Sequence, residues 1–257
     1  MKNKVVIVTG AARGLGQKYS CEFAKAGAKV VFADINSCND TEEKIKEVTS
    51  EFLNLTLDVI DFSSCQNLAE KTKEKFGRID VLINNAALYG GLKSSRFEDI
   101  DSKQWDKAMN VNVKGVWNCC RAVVPVMREQ KGGSIINISS LAALYGMPYA
   151  ADYSASKAAV LGLTRVIARE VGKDGIRVNS VAPSMVKTES AAEFLGEKSE
   201  KGFEVISKGQ ILQKTLEVDD IYGTILHRSN LQHLDNINCL SKASFVMQGL
   251  LIPFPLV

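Results

Sequence analysis

Val5-Val6-Ile7-Val8-Thr9-Gly10-Ala11-Ala12-Arg13-Gly14-Leu15-Gly16 is the stretch whose reading decides the fold. Four consecutive β-branched residues suit a strand buried on both faces of a parallel sheet better than a half-exposed hairpin strand. Gly10 ends the run, and Leu15, Tyr19, Phe23 and Ala26 then recur at helical spacing until Gly27 stops them. A second strand, Lys29-Val30-Val31-Phe32-Ala33, completes a βαβ unit. The three glycines between strand and helix have separate tasks. Gly10 permits the tight turn, Gly14 lets backbone approach a pyrophosphate, and Gly16 lets the helix pack on the strand. From Leu15 onward the helix N-terminus offers unpaired N–H groups and the positive end of its dipole to phosphates.

Asp34, at the end of the second strand, can accept both ribose hydroxyls of NAD and would repel the extra phosphate of NADP, so NAD is favoured. Arg13 is the opposing signal, since a guanidinium beside the loop could pair with a 2′-phosphate. Asp58, closing the third strand, could accept from an adenine amino group.

Outward from this unit the alternation repeats. A polar helix is expected around Thr41 to Phe52, a strand ending at Asp58, a helix from Ser64 to Phe76 and a strand from Ile79 to Ile83. A long helix from Trp105 to Met127, a strand from Ser134 to Ile138, a helix from Ser154 to Val171 and a strand from Ile176 to Val181 follow. The pattern predicts a single doubly wound α/β domain, a Rossmann-type parallel sheet with helices on both faces. That domain is placed at 1–226, with the polar, weakly periodic segment 189–215 as a lid. Beyond Asp220 the regular pattern fades.

Composition narrows the function. The chain has 257 residues, 46% hydrophobic and 24% charged, which excludes fibrous and disordered classes. Lys+Arg 32 against Asp+Glu 29 leaves +3, no footing for a nucleic-acid or membrane partner. Six cysteines without a CxxC pair or a Cys/His ligand spacing read as reduced packing residues, so no metal is expected. Four apolar residues at Val5–Val8 are too few for a signal-peptide core, and no run approaches the roughly 18 of a membrane span, so a cytoplasmic protein is expected.

Tyr153 and Lys157, four apart at a helix start, share one face. An ammonium about 4 Å from a phenol favours the phenolate by roughly 4 kcal/mol at an effective dielectric of 20, before desolvation is subtracted. That would bring a group of ordinary pKa about 10 into the range of a general acid/base. Ser140, at the carboxyl end of the preceding strand, could bond a substrate oxygen beside Tyr153, with Ser139 competing on position alone. Asn112 is a poor helix former at an apolar position and points to a local hydrogen bond or a water.

Thr9-Gly10-x3-Gly14-x-Gly16, Asn84-Asn85-Ala86-Ala87, Val111-Asn112, Ser140, Tyr153-x3-Lys157 and Asn179-x3-Pro183 resemble, in order and spacing, the motifs of the short-chain dehydrogenase/reductase family, over Lys4 to about Gly223. The resemblance implies a catalytic tetrad of Asn112, Ser140, Tyr153 and Lys157, and favours Ser140 over Ser139. Tyr153 would exchange the proton, Ser140 steady the substrate oxygen, Lys157 lower the tyrosine pKa and hold the nicotinamide ribose, and Asn112 position a relay water. Asn85, Ala86 and Ala87 would line the adenosine side, Val186 and Thr188 hold the carboxamide, and Val59 and Pro183 complete the cofactor set. It implies an NAD-dependent oxidoreductase, with NADP the lesser candidate, acting on a secondary alcohol or its ketone as a homodimer or homotetramer. Leu141, Leu144, Tyr145, Met147, Met185 and Phe194 fall where the family's pocket forms and favour an apolar or aromatic substrate.

Three departures stand out. Ala87 and Ser184 occupy positions where the family usually has Gly. From His227 the chain lacks the family's usual ending and closes Ile252-Pro253-Phe254-Pro255-Leu256-Val257. Codons for Ala243 to Leu250, read one nucleotide earlier, can encode an ending close to the expected one. Residues 227–257 are therefore expected to be translated out of frame, and a nucleotide-binding protein with impaired catalysis is the alternative function. His227 and His233 fall in this tail and give no basis for a metal enzyme.

Overall fold

Apolar residues on alternate sides of each central strand divide the core in two. The computed structural model describes residues 1–209, 213–230 and 245–248. Among them seven strands form one parallel sheet: β1 Val5–Thr9, β2 Lys29–Asp34, β3 Phe52–Thr56, β4 Val81–Asn84, β5 Gly133–Ile138, β6 Ile176–Pro183 and β7 Phe245–Gln248. Their order is β3-β2-β1-β4-β5-β6-β7. The helices are α1 Gly14–Lys25, α2 Asn39–Lys46, α3 Phe62–Phe76, α4 Ser102–Met109, α5 Gly115–Glu129, α6 Ala142–Tyr145, α7 Ala151–Val171, α8 Glu189–Leu195, α9 Ser199–Lys208 and α10 Val218–Asn230.

Val5 and Ile7 of β1 pack with Val31, Leu82, Ile135 and Val178 against Leu68 of α3, Val123 and Met127 of α5 and Val160 of α7. Val6 and Val8 point the other way, with Val30, Phe32, Ile83 and Val181, against Phe23 of α1, Ile45 of α2 and Ile221 and Ile225 of α10. Burying each such side chain stabilises the fold by roughly 1.5–3 kcal/mol. This is the doubly wound sheet that the β-branched runs predict. The chain winds outward from β1 to β3 and returns on the far side of β1 as β4, so the carboxyl ends of β1 and β4 flank a crevice at the reversal point.

Several boundaries differ from expectation. The third strand stops at Thr56, two residues before Asp58. The helix expected from Trp105 to Met127 is two helices, α4 and α5, joined by one wide π turn at Asn110–Lys114. A π turn is characteristic of helices deformed at a functional site. Here the deformation follows from two close contacts. Asn112 is held by partners on Leu88 and Ser156, and a Cβ on Gly115 would lie 2.6 Å from the Val59 side chain. The polar segment 189–215 contains α8 and α9. Past Asp220 the pattern continues as α10, whose Ile221 and Ile225 are fully buried. Within the atypical tail, β7 extends the sheet in register Ser180↔Phe245 to Pro183↔Gln248. The apolar ending Leu250–Val257, His233 and Cys239 lie outside the described residues. The other five cysteines are buried and unpaired by disulfides.

Candidate active site

A cavity of about 1390 Å³ occupies the crevice above β1, β4 and β5. Gly10 lines its floor at φ +67, where a Cβ would come within 2.6 Å of the Ala86 backbone. Gly16 stands behind the loop, where a Cβ would collide with the Gly10 carbonyl oxygen. Gly14 and Leu15 face the cavity, and the N-terminus of α1 there carries no side-chain cap and no acidic residue in its first turn. The loop is braced from β4. Asn85 Nδ2 donates to the carbonyls of Thr9 and Gly10, both at 3.0 Å, while Thr9 Oγ1 accepts from the amides of Asn85 and Ala86 at 3.1 and 3.0 Å. Asn85 thus shapes the loop with its side chain, and Ala86 and Ala87 line the cavity.

At the end of the cavity beside β2, Asp34 Oδ2 accepts from the Ala12 amide at 3.0 Å, and Oδ1 accepts from the Asn36 amide at 2.9 Å and from Asn36 Nδ2 at 3.3 Å. A carboxylate has about four acceptor positions, so about one remains, on Oδ2, for a ribose hydroxyl. Asp58 and Val59 line the same end, with Asp58 Oδ1 accepting from the Ile60 amide at 3.0 Å. Arg13 reaches α8: its Nη2 is 2.9 Å from Glu193 Oε2 and its Nη1 3.5 Å from Glu189 Oε2.

At the other end, the Ser140 side chain stands close enough to the Tyr153 hydroxyl to lower its pKa, and Ser140 Oγ accepts from the Ala142 amide at 3.2 Å. Ser139 is turned away, its hydroxyl donating to the Lys157 carbonyl at 2.8 Å, so the position left open between the two serines falls to Ser140. Lys157 Nζ donates to the Ile138 carbonyl at 2.8 Å and stands 5.8 Å from the Tyr153 ring centre. Burial lowers Lys157 to about 8 and raises Tyr153 to about 12, against the lowering effect of the nearby Ser140 hydroxyl. The expected depression of the phenol by Lys157 is therefore not met. Desolvation outweighs Coulomb attraction when the ammonium is itself buried and committed to a carbonyl.

Asn112 does not line the cavity. Its Oδ1 accepts from the Leu88 amide at 2.7 Å, and its Nδ2 donates to the Leu88 carbonyl at 3.1 Å and to Ser156 Oγ at 3.0 Å. Pro183, Val186 and Thr188 also line the cavity, although the Thr188 hydroxyl already caps α8 by accepting from the Ala191 amide. Leu141, Tyr145, Met147 and Met185 line the pocket, while Leu144 is exposed outside it. Ser184 lines the cavity together with Tyr145, and its hydroxyl lowers the Tyr145 pKa against the raising effect of burial.

Sequence reasoning missed Tyr89, whose ring lies 4.6 Å from those of both Tyr153 and Phe194. Its one available signal was its place two residues after the Asn84–Ala87 motif. Glu189 and Glu193 were also missed, although their spacing of four puts both on one face of α8.

The glycine cradle, the uncapped helix end and the carboxylate at the end of β2 fit a dinucleotide: phosphates at α1, ribose at Asp34 and a reacting ring near Tyr153. Among the described residues no group of three or more His, Cys, Asp or Glu could hold a metal ion, and no helix is long and apolar enough to cross a membrane.

Comparison with known proteins follows the same lines. A family model described as short chain dehydrogenase matches residues 4–198. The chain is 40% identical over 191 residues to 3-oxoacyl-[acyl-carrier-protein] reductase FabG of Thermotoga maritima, covering 73% of this chain and 76% of the relative. It is 35% identical over 233 residues to the (2S)-[(R)-hydroxy(phenyl)methyl]succinyl-CoA dehydrogenase subunit BbsD of Thauera aromatica, covering 88% and 89%. Among solved structures, levodione reductase superposes with a TM-score of 0.88 at 28% identity over 97% of both chains.

Proposed function

The chain belongs to the short-chain dehydrogenase family, whose members are oxidoreductases using nicotinamide cofactors, and from that premise we propose an NAD-dependent enzyme that interconverts a secondary alcohol and its ketone. One observation carries the reading: Tyr153, Ser140 and Lys157 line one cavity together with the glycine cradle and Asp34. The nicotinamide ring, when bound, supplies or accepts the hydride.

Ser140 and Tyr153 together form a two-hydroxyl site for a substrate oxygen. With its pKa near 12, Tyr153 holds its proton at pH 7 and can donate it to a carbonyl oxygen as the alcohol forms. Lys157, held near 8, keeps a proton within reach of the same helix face. Asn112 acts one layer out, by fixing Leu88 at the cavity wall. Asp34 supports NAD over NADP through its remaining acceptor position and its negative charge. Tyr89 and Tyr145 on the cavity wall, with Phe194 stacked on Tyr89, support an apolar or aromatic substrate, in keeping with a relative whose name includes a phenyl group.

Purified protein titrated with NADH, then assayed on a panel of aromatic and aliphatic ketones, tests the reading directly. Tyr153→Phe should lose more than about 95% of the rate while NADH affinity stays within a few-fold, because only the ionisable hydroxyl is removed. Cofactor binding without turnover on any ketone or alcohol by the unmodified chain would favour the alternative of a nucleotide-binding protein without catalysis.

A further inference from the structure

Arg13 is the cation of the glycine loop, and both of its ion-pair partners are on the lid helix. Glu193 takes the guanidinium with both carboxylate oxygens, Nη2 to Oε2 at 2.9 Å and Nη1 to Oε1 at 2.5 Å, and Glu189 Oε2 lies 3.5 Å from Nη1. The residue before Arg13 donates its amide to Asp34 Oδ2 at 3.0 Å, so the arginine backbone adjoins the carboxylate that would face the adenosine ribose. A guanidinium rooted there is the right shape and charge for a ribose 2′-phosphate, because its planar fork binds carboxylate and phosphate in the same two-pronged way. The two acids therefore occupy the fork that such a phosphate would need. Negative charge also stands on both sides of the site, Asp34 below and Glu189 and Glu193 above.

We infer that Glu193, supported by Glu189, is a specificity-determining residue for the cofactor: it withholds Arg13 from a 2′-phosphate and thereby adds to the exclusion of NADP begun by Asp34. The inference rests on the nicotinamide-dinucleotide reading of the cavity. It assigns part of the discrimination to a helix that sequence spacing does not connect with the glycine loop. Specificity of this kind combines attraction of one ligand with obstruction of its competitor.

Calorimetric titration of NAD⁺ and of NADP⁺, at one ionic strength and without substrate, reads binding independently of turnover. Glu193→Gln keeps the side-chain shape and removes the charge, so NADP⁺ should tighten by about fivefold or more relative to NAD⁺, as a charge-assisted pair with phosphate replaces the one with carboxylate. Glu189→Gln/Glu193→Gln should extend the gain. In an Arg13→Ala background Glu193→Gln should change the ratio of the two affinities by less than twofold. An unchanged ratio in the single and double glutamine variants, with NAD⁺ still bound, would overturn the inference and leave the cofactor reading standing. Equal tightening of both dinucleotides would also overturn it, by sending Arg13 to the shared pyrophosphate. If the unmodified protein bound neither dinucleotide, the cofactor reading itself would fall and take this inference with it.

Discussion

Lys157→Met tests whether the site lysine is held against its own charge. Burial lowers Lys157 from 10.5 to about 8. At about 1.4 kcal/mol per pH unit, holding the ammonium in place costs the native protein about 3 kcal/mol at pH 7. The sign follows from proton counting. Below pH 8 folded and unfolded chains both carry the proton and the whole cost is present; between 8 and 10.5 the unfolded chain binds more protons, so stability rises with pH; above 10.5 the cost is gone. Methionine keeps the length and removes the charge, but it leaves the Ile138 carbonyl without its donor, a loss of about 1–3 kcal/mol that does not depend on pH. Net stabilisation at pH 7 is therefore small. The pH dependence is the informative quantity. Urea unfolding of both proteins should show the charge-dependent advantage of the methionine variant falling from about 3 kcal/mol at about pH 7 to about 1 kcal/mol at about pH 9.5. Taking the difference between the two proteins cancels every other group that titrates in this range. A difference constant within about 0.5 kcal/mol would refute the reasoning and place Lys157 near its ordinary pKa.

Two further perturbations separate cofactor selection from support of the cavity wall. Asp34→Ala should weaken NAD about tenfold without weakening NADP, since it removes a ribose acceptor and a repulsive charge together; dinucleotide titration checks this, and unchanged relative affinity would assign the preference elsewhere. Asn112→Ala should lower the melting temperature, because the Leu88 amide and carbonyl lose partners at about 1–3 kcal/mol, and should reduce kcat with little change in cofactor affinity. Wild-type kcat and stability in that variant would remove the buttressing role.

The strands were legible because parallel strands buried on both faces read as continuous β-branched runs, as at Val5–Val8 and Lys29–Ala33. The glycine loop was legible because each glycine meets a local need for a turn or a close approach. What stayed hidden was set by partners distant in the chain. The break between α4 and α5 follows from Asn112 reaching Leu88 and Ser156, 24 and 44 residues away. Glu193, the two-pronged partner of Arg13, lies 180 residues along, so no local pattern exposed it. Tyr153 and Lys157 were found by spacing, yet the direction of the tyrosine pKa was not, because spacing reports which groups are neighbours and burial decides which charges survive. The helix α10 and strand β7 follow a segment whose composition had lost its periodicity.

The bracing of the glycine loop by β4 also fixes an order of assembly during synthesis. Thr9 Oγ1 donates to the Ile83 carbonyl and accepts from the amides of Asn85 and Ala86, partners 74 to 77 residues ahead in the chain. A nascent polypeptide ending before residue 83 contains all three loop glycines and none of the β4 contacts that brace them. Closing so long a segment costs chain entropy that local contacts do not repay, so the cradle forms only when β4 has emerged to lie beside β1. Tyr153 and Lys157 emerge later still. The ribosome thus delivers the braced glycine loop well before the tyrosine and lysine that share its cavity.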